Sequence, residues 1–351
     1  MAQVNLNKFL TIAIPTYNRE KQLIRLLKSI ERQDAVDKYY IVILNNHSNY
    51  DIKQSISNHF DGEFSNNIEI YNRPYNSGGD YNISSAFLFA KSNVLWIIGD
   101  DDEVLDGCFD IIEEDIYHYP DVPCFKYHIK GHSTYKDDVM INHISQFRDL
   151  FKKKYFSAGD IIFLSNNVFN LPMMGDYVSD SLYYSYCSVP HSLPMLRCMI
   201  DGKAFLLSHR EIINYNEPDG DHWNYIKIST SLSTVLDINC DGEYNVVKDF
   251  FYTISEHIDI CLFLEECLLL NNRAYRKYVC RKGMSTIFAN RGLYTRYCFF
   301  LYQLENLTRL HFFTGFHKKT RSVWREKKEK MKQSNNVIYK IYKKIKDLKR
   351  Y

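Results

Sequence analysis

The sequence predicts an α/β domain on a mostly parallel central sheet, followed by a helical C-terminal extension. Three observations predict it. Over the first 130 residues, short apolar runs alternate with helically spaced patterns. Those runs are continuously apolar, as in strands buried on both faces. From about residue 245 onward the apolar spacing is helical almost throughout.

Taken in order, KFLTIAIPTYNRE reads as a strand over Phe9–Ile14 ended by Pro15. LIRLLKSIERQ follows with Leu23, Leu26, Leu27 and Ile30 on one helical face. YYIVILNN and NIEIYNRP are short strands that stop at polar residues, SSAFLFAKS is helix-like, and NVLWIIGDDD is the next strand. Residues 131–190 are irregular, with strand signals in DIIFLSNNVFN. SLPMLRCMIDG reads as a helix closed by Gly202, KAFLLS as a strand, and EPDGDHW as a turn. The shifts in pattern divide the chain into a domain over 1–244, a helical extension over 245–315 and a basic tail over 316–351.

Composition narrows the function. The 28 Tyr and 22 Phe suit either a tyrosine-rich core or a surface that grips polar, partly apolar ligands such as sugars. Nine scattered cysteines, with no C-x-x-C pair, argue against a disulfide framework or zinc site and for a reducing compartment. No window has the roughly 18 apolar residues of a membrane span, and the N-terminus lacks a signal-peptide pattern. The net charge of +2 conceals an acidic body and a basic tail, because residues 316–351 hold 14 Lys/Arg against 3 Asp/Glu.

In open parallel sheets ligands bind beyond the carboxyl ends of the strands. The polar residues there are Thr16–Arg19, Asn45–Asn46 and Asp100–Asp102. Three carboxylates directly after an apolar strand repel one another, and no residue next to them in sequence is basic. A divalent cation would remove that repulsion, because Mg²⁺ and Mn²⁺ take carboxylate and phosphate oxygens. Alternation along an extended segment would turn Asp100 and Asp102 one way and Asp101 the other. The spacing does not fit an EF-hand, and a solvated acidic turn is the alternative.

Four segments in series over residues 8–107, TIAIPTYNRE, VILNNHSN, RPYNSGGDYNISSAF and IIGDDDEVL, resemble inverting glycosyltransferases of family 2. Within that family the wording IPTYNR and GDDD is similar to abequosyltransferase-like enzymes of bacterial O-antigen assembly. The resemblance implies a GT-A fold, a nucleotide-sugar donor and a Mn²⁺ or Mg²⁺ cofactor. It implies donor contacts from Pro15, Tyr17, Arg19, Asn45, Asn76, Gly78, Asn82, Asp100 and Asp101, with Asp102 and Asp100 on the metal. Asn45 stands where the family usually has a base-reading Asp, which leaves the nucleotide open.

Inversion needs a base for the acceptor hydroxyl. At the matching place, before LPMLRCMIDG, stands His191 rather than a carboxylate, with Asp180 as the alternative. Asp219, Asp221 and His222 are expected to coordinate the metal, close over the donor or simply form a loop. Asn166 and Asn167 are read as acceptor contacts or as ordinary turn residues.

In NVIYKIYKKIKDLKRY, Val337, Ile338, Ile341, Tyr342, Ile345 and Leu348 share a helical face flanked by lysines. This tail is expected to contact an anionic membrane surface, where a lipid-linked or oligosaccharide acceptor would be met. The expectation is a peripheral enzyme on the cytoplasmic face of the membrane, building O-antigen, other lipopolysaccharide glycan or capsule. The alternative is a non-catalytic sugar-nucleotide-binding or assembly protein of the same route. Nucleic-acid binding has no reading motif in its favour. A homo-oligomer through the late helices stays open.

Overall fold

The structure, a computed structural model, describes residues 8–308 apart from 36–37, 130–134, 154, 157–159, 161, 217–223, 239–243, 256–257 and 290. Its residues group into two compact units. One comprises the chain up to 223 together with 231–257, the other 224–230 together with the chain from 258 onward.

The first unit is mixed α/β. Its strands are β1 (Leu10–Thr16), β2 (Tyr39–Asn45), β3 (Ile68–Asn72), β4 (Val94–Ile97), β5 (Glu103–Val104), β6 (Cys124–Tyr127), β7 (Val139–Ile141), β8 (Asn167–Asn170), β9 (Phe205–Ser208) and β10 (Ile213–Asn214). Eight of them form one sheet in the order β3-β2-β1-β4-β8-β6-β9-β7. The first four are parallel neighbours, as the continuously apolar runs imply. β8 is antiparallel to both β4 and β6, β9 is parallel to β6, and β7 is antiparallel to β9.

Both faces are buried. Ile12, Ile14, Ile41, Ile43, Trp96 and Ile98 point to one side, into a core shared with helices Glu20–Glu31, Ile52–Ser57 and Cys108–His118. Ala13, Val42, Leu44, Leu95 and Ile97 are buried on the other side. There Phe87 packs on Phe169, with ring centroids 5.2 Å apart.

Two local expectations are corrected. β1 does not end at Pro15 but runs to Thr16. The β1–β4 ladder closes at Ala13–Ile97, so Pro15, of the same parity as Ala13, has no ladder donor to supply. The helix expected over SSAFLFAKS starts earlier, at Gly79, and tightens into a 3₁₀ turn over Ala86–Leu88. Gly78 takes a positive φ of 90° just before it, a conformation open to glycine.

Beyond the sheet, helix Leu193–Ile200 closes at Gly202 with φ 72°, as its sequence implies. Between 244 and 308 the described elements are the helices Tyr244–Ser255, Ile260–Leu269, Arg273–Ser285 and Leu293–Thr308. No described helix is long and apolar enough to cross a membrane. The EPDGDHW segment, with Asp219, Asp221 and His222, and the basic tail lie outside the described residues.

Candidate active site

The parallel topology brings the ends of β1, β2, β3 and β4 to one edge of the sheet, although up to 84 residues separate their loops. At the end of β1, Asn18 accepts from the Asn49 N–H at 2.8 Å and donates its own N–H to Ser48 Oγ at 3.0 Å. These bonds tie the β1 and β2 loops together. Asn18 and His47 take positive φ values of 55° and 69°, so both loops turn sharply off their strands.

The three aspartates do not continue β4 as an extended segment. Asp102 N–H donates to Gly99 C=O at 3.2 Å, and the chain turns. The expected alternation is therefore replaced by a different partition. Asp100 and Asp101 share Arg19, whose Nη1 lies 3.0 Å from Asp100 Oδ1 and 2.8 Å from Asp101 Oδ2. Thr16 Oγ1 also donates to Asp100 Oδ2 at 2.7 Å. Arg19 was expected against the nucleotide and diphosphate; here it supplies the positive charge that no sequence neighbour of the aspartates provides.

Asp102 has different surroundings. It is buried, and Ser165 Oγ donates to its Oδ2 at 2.6 Å. The same Ser165 Oγ accepts from Gly99 N–H at 2.8 Å. Pairing of β5 with β10 delivers Asn216, whose N–H points at Asp102 Oδ1 from 3.3 Å. No Lys or Arg pairs with Asp102 among the described residues. Burial, opposed by the Ser165 hydrogen bond, raises its pKa to about 7. Burial also raises Asp100, to about 6, with Arg19 and Thr16 opposing.

Next to this loop a cleft of about 320 Å³ opens between the ends of β2 and β3, lined by Asn45, His47, Tyr50, Asp51, Asn72 and Arg73 among others. Asn45 Nδ2 donates to Asn72 Oδ1 at 2.7 Å, and its Oδ1 accepts from Ser48 N–H at 2.9 Å. Arg73 is fixed in place. Its Nε donates to Asn82 Oδ1 at 3.1 Å, its Nη2 donates to Ser85 Oγ at 2.6 Å, and it lies over the Tyr81 ring at 4.9 Å. Asn82 Nδ2 in turn donates to Leu44 C=O at 2.8 Å. Asn76 Oδ1 accepts from Asn46 Nδ2 at 2.8 Å and from Gly78 N–H at 2.9 Å, closing the glycine turn. Asn76 and Asn82 thus shape the site from behind, while Tyr17 is exposed at the β1 end and Pro15 is half-buried.

The remaining expected residues lie deeper. Asn166 and Asn167 are buried. Asn166 Nδ2 donates to Tyr127 C=O at 3.0 Å and to Asp160 Oδ1 at 2.9 Å, and its Oδ1 accepts from Lys126 Nζ at 2.9 Å. Asn167 Nδ2 donates to Phe163 C=O at 2.6 Å. The sequence leaves two readings open for them, acceptor contacts or ordinary turn residues; in the structure both side chains bond inward, around the buried Lys126.

His191 occupies the turn before helix Leu193–Ile200 and is buried, its Nε2 3.1 Å from Ile162 C=O. Burial, with Lys126 adding to it, pushes its pKa down to about 3, so the ring is neutral. The carbonyl fixes the proton on Nε2 and leaves Nδ1, which has no hydrogen-bond partner among the described residues, as a bare acceptor. Asp180 pairs with Arg197 at 3.2 Å, and burial raises its pKa.

Sequence reasoning placed Thr16 among the polar strand ends without giving it a role, and it missed Ser165, Arg73 and Asn216. Arg73 stands inside a quoted motif, and its position just after β3 was a usable signal. Ser165 and Asn216 reach Asp102 across 63 and 114 residues, with no local signal.

Residues 11–170 match the family model Glycosyl transferase family 2. The match covers β1 to β8 and includes the whole acidic loop. Among solved structures, TarS of S. aureus, residues 1–349, in complex with UDP-GlcNAc, superposes with a TM-score of 0.53 at 14% identity over 80% of this chain and 89% of that one. A second TarS structure gives 0.52 at 12% identity, over 82% of this chain and 50% of that one. These likenesses make the fold GT-A-like, a mostly parallel sheet with a helical C-terminal region. No curated protein sequence matches the chain.

Proposed function

We propose that the chain transfers a sugar from a nucleotide-sugar donor to a glycan acceptor, with inversion at the anomeric carbon. One observation carries this reading. A buried carboxylate with no cationic partner among the described residues, Asp102, follows β4 at the carboxyl edge of the parallel strands, and the Arg73 cleft opens at the ends of β2 and β3 of the same sheet. The family match over the same strands supports it.

The residues present fit a Mn²⁺ or Mg²⁺ ion. Among the described residues no three His, Cys, Asp or Glu side chains form a cage. These ions commonly use only one or two carboxylates and complete their shell with diphosphate oxygens and water. Asp102 would hold the ion, with Asp100 beside it. When bound, such an ion stabilises negative charge on a departing diphosphate.

The cleft residues Asn45, Asn72 and Arg73 would receive the nucleoside, and the Asn45 amide both donates and accepts toward a base edge. The acceptor oxygen forms a bond to the anomeric carbon from the face opposite the diphosphate. The bond to the diphosphate breaks, and its electron pair leaves with the diphosphate. The hydroxyl proton is assigned to His191, which stands at the turn before helix Leu193–Ile200, and an opening that exposes its buried Nδ1 is part of the proposal. Asp180 is the second candidate base. A lipid-linked acceptor of surface-glycan synthesis at the cytoplasmic face, met by a membrane-contacting tail over 316–351, completes the proposal.

One observation favours a binding protein without catalysis: His191 is buried. Thermal stabilisation by a panel of nucleoside diphosphates, with and without Mn²⁺, tests the site. Stabilisation that requires both Mn²⁺ and Asp102 is expected, and none with any nucleotide overturns the proposal. In a donor turnover assay His191→Ala lowers kcat far more than it changes donor KM. An unchanged rate moves the base to Asp180, and no turnover by the wild-type chain leaves only binding.

A further inference from the structure

We infer that the helical second unit carries its own docking surface for an anionic lipid bilayer, formed by helices Arg273–Ser285 and Leu293–Thr308. The inference does not rest on the transferase reading.

Helix Leu293–Thr308 turns an apolar stripe outward. Leu293, Tyr297 and Phe300, at i, i+4 and i+7, are 83%, 49% and 57% exposed. Thr295, Cys298 and Tyr302 take the inward positions. An ordinary surface helix buries one apolar face and keeps the opposite face polar, whereas this one is apolar on both. Helix Arg273–Ser285 exposes Arg273, Lys277 and Arg281 in one row, with Tyr278 beside them at 56% exposure. The two helices are neighbours, bridged by Arg276 Nη1 donating to Asn306 Oδ1 at 3.1 Å.

Charge selects the occupant. Between residues 271 and 304 the chain has seven Lys and Arg and no Asp or Glu. A two-fold contact with a second copy would set this cationic patch against itself. A nucleic acid would satisfy the cations but leave the aliphatic Leu293 without a partner. A bilayer with acidic headgroups satisfies both, taking Leu293 and Phe300 at the acyl boundary and tyrosines and cations at headgroup level.

The test is flotation of the full chain with phosphatidylcholine vesicles, with and without phosphatidylglycerol. Lys277→Gln/Arg281→Gln is expected to weaken binding to the anionic vesicles by about 25-fold, at about fivefold per cation. Leu293→Ser/Phe300→Ser is expected to weaken it comparably. All four side chains are exposed, so unchanged circular dichroism and melting should accompany the loss. Binding by both variants equal to wild type would assign all lipid contact to the tail and overturn the inference. So would an RNA-binding loss or an altered sedimentation coefficient in these variants without any change in flotation.

Discussion

Asp102→Asn should make the metal-free protein more stable while abolishing its stabilisation by Mn²⁺ and nucleotide. The amide has the size of the carboxylate and can keep polar contacts with Ser165 and the Asn216 N–H, but it cannot ionise. Asp102 titrates near 7 in the folded chain, against an ordinary value of 3.8. That gap corresponds to about 4 kcal/mol. A raised carboxyl favours the folded state fully below pH 4, loses that contribution as pH rises, and contributes nothing above 7. Above 7 the folded protein therefore encloses an ionised carboxylate that no described Lys or Arg pairs with. The asparagine variant should exceed wild type by up to about 4 kcal/mol at pH 8, with the gap narrowing to little near pH 4. Urea unfolding in EDTA across this range measures it. A variant no more stable than wild type at pH 8, or a gap that stays constant into acid, would refute the reasoning. The sign matters, because a carboxylate whose removal stabilises the fold does not serve stability.

Two further outcomes follow from other contacts. Ser165→Ala removes the hydrogen bond to Asp102 and leaves Gly99 N–H without its acceptor, so it should cost about 2–3 kcal/mol at pH 8; an unchanged urea midpoint would contradict the contact. Gly283→Ala places a methyl 2.5–3.2 Å from the buried Phe263 ring, and this overpacking should cost about 1–3 kcal/mol. Phe263→Leu in the same chain should recover part of the loss in thermal melting.

The sequence by itself determined the parallel half of the sheet, because β1, β2 and β4 are buried on both faces and their apolar runs are continuous. It also placed the polar strand ends at one edge, since parallel strands connected by helices must all finish there. What it could not determine was how the aspartates divide. Arg19 lies 81 residues before Asp100 in the chain, and Ser165 lies 63 residues after Asp102. Those pairings exist only because β4 lies between β1 and β8 in the sheet. The same folding buried Asn166 and Asn167, marked as ligand contacts by their polar character, and His191, marked by its place before helix Leu193–Ile200. Local pattern reports which face of an element is apolar; only tertiary packing decides which polar groups meet, because hydrogen bonds are settled by distance in space rather than separation along the chain.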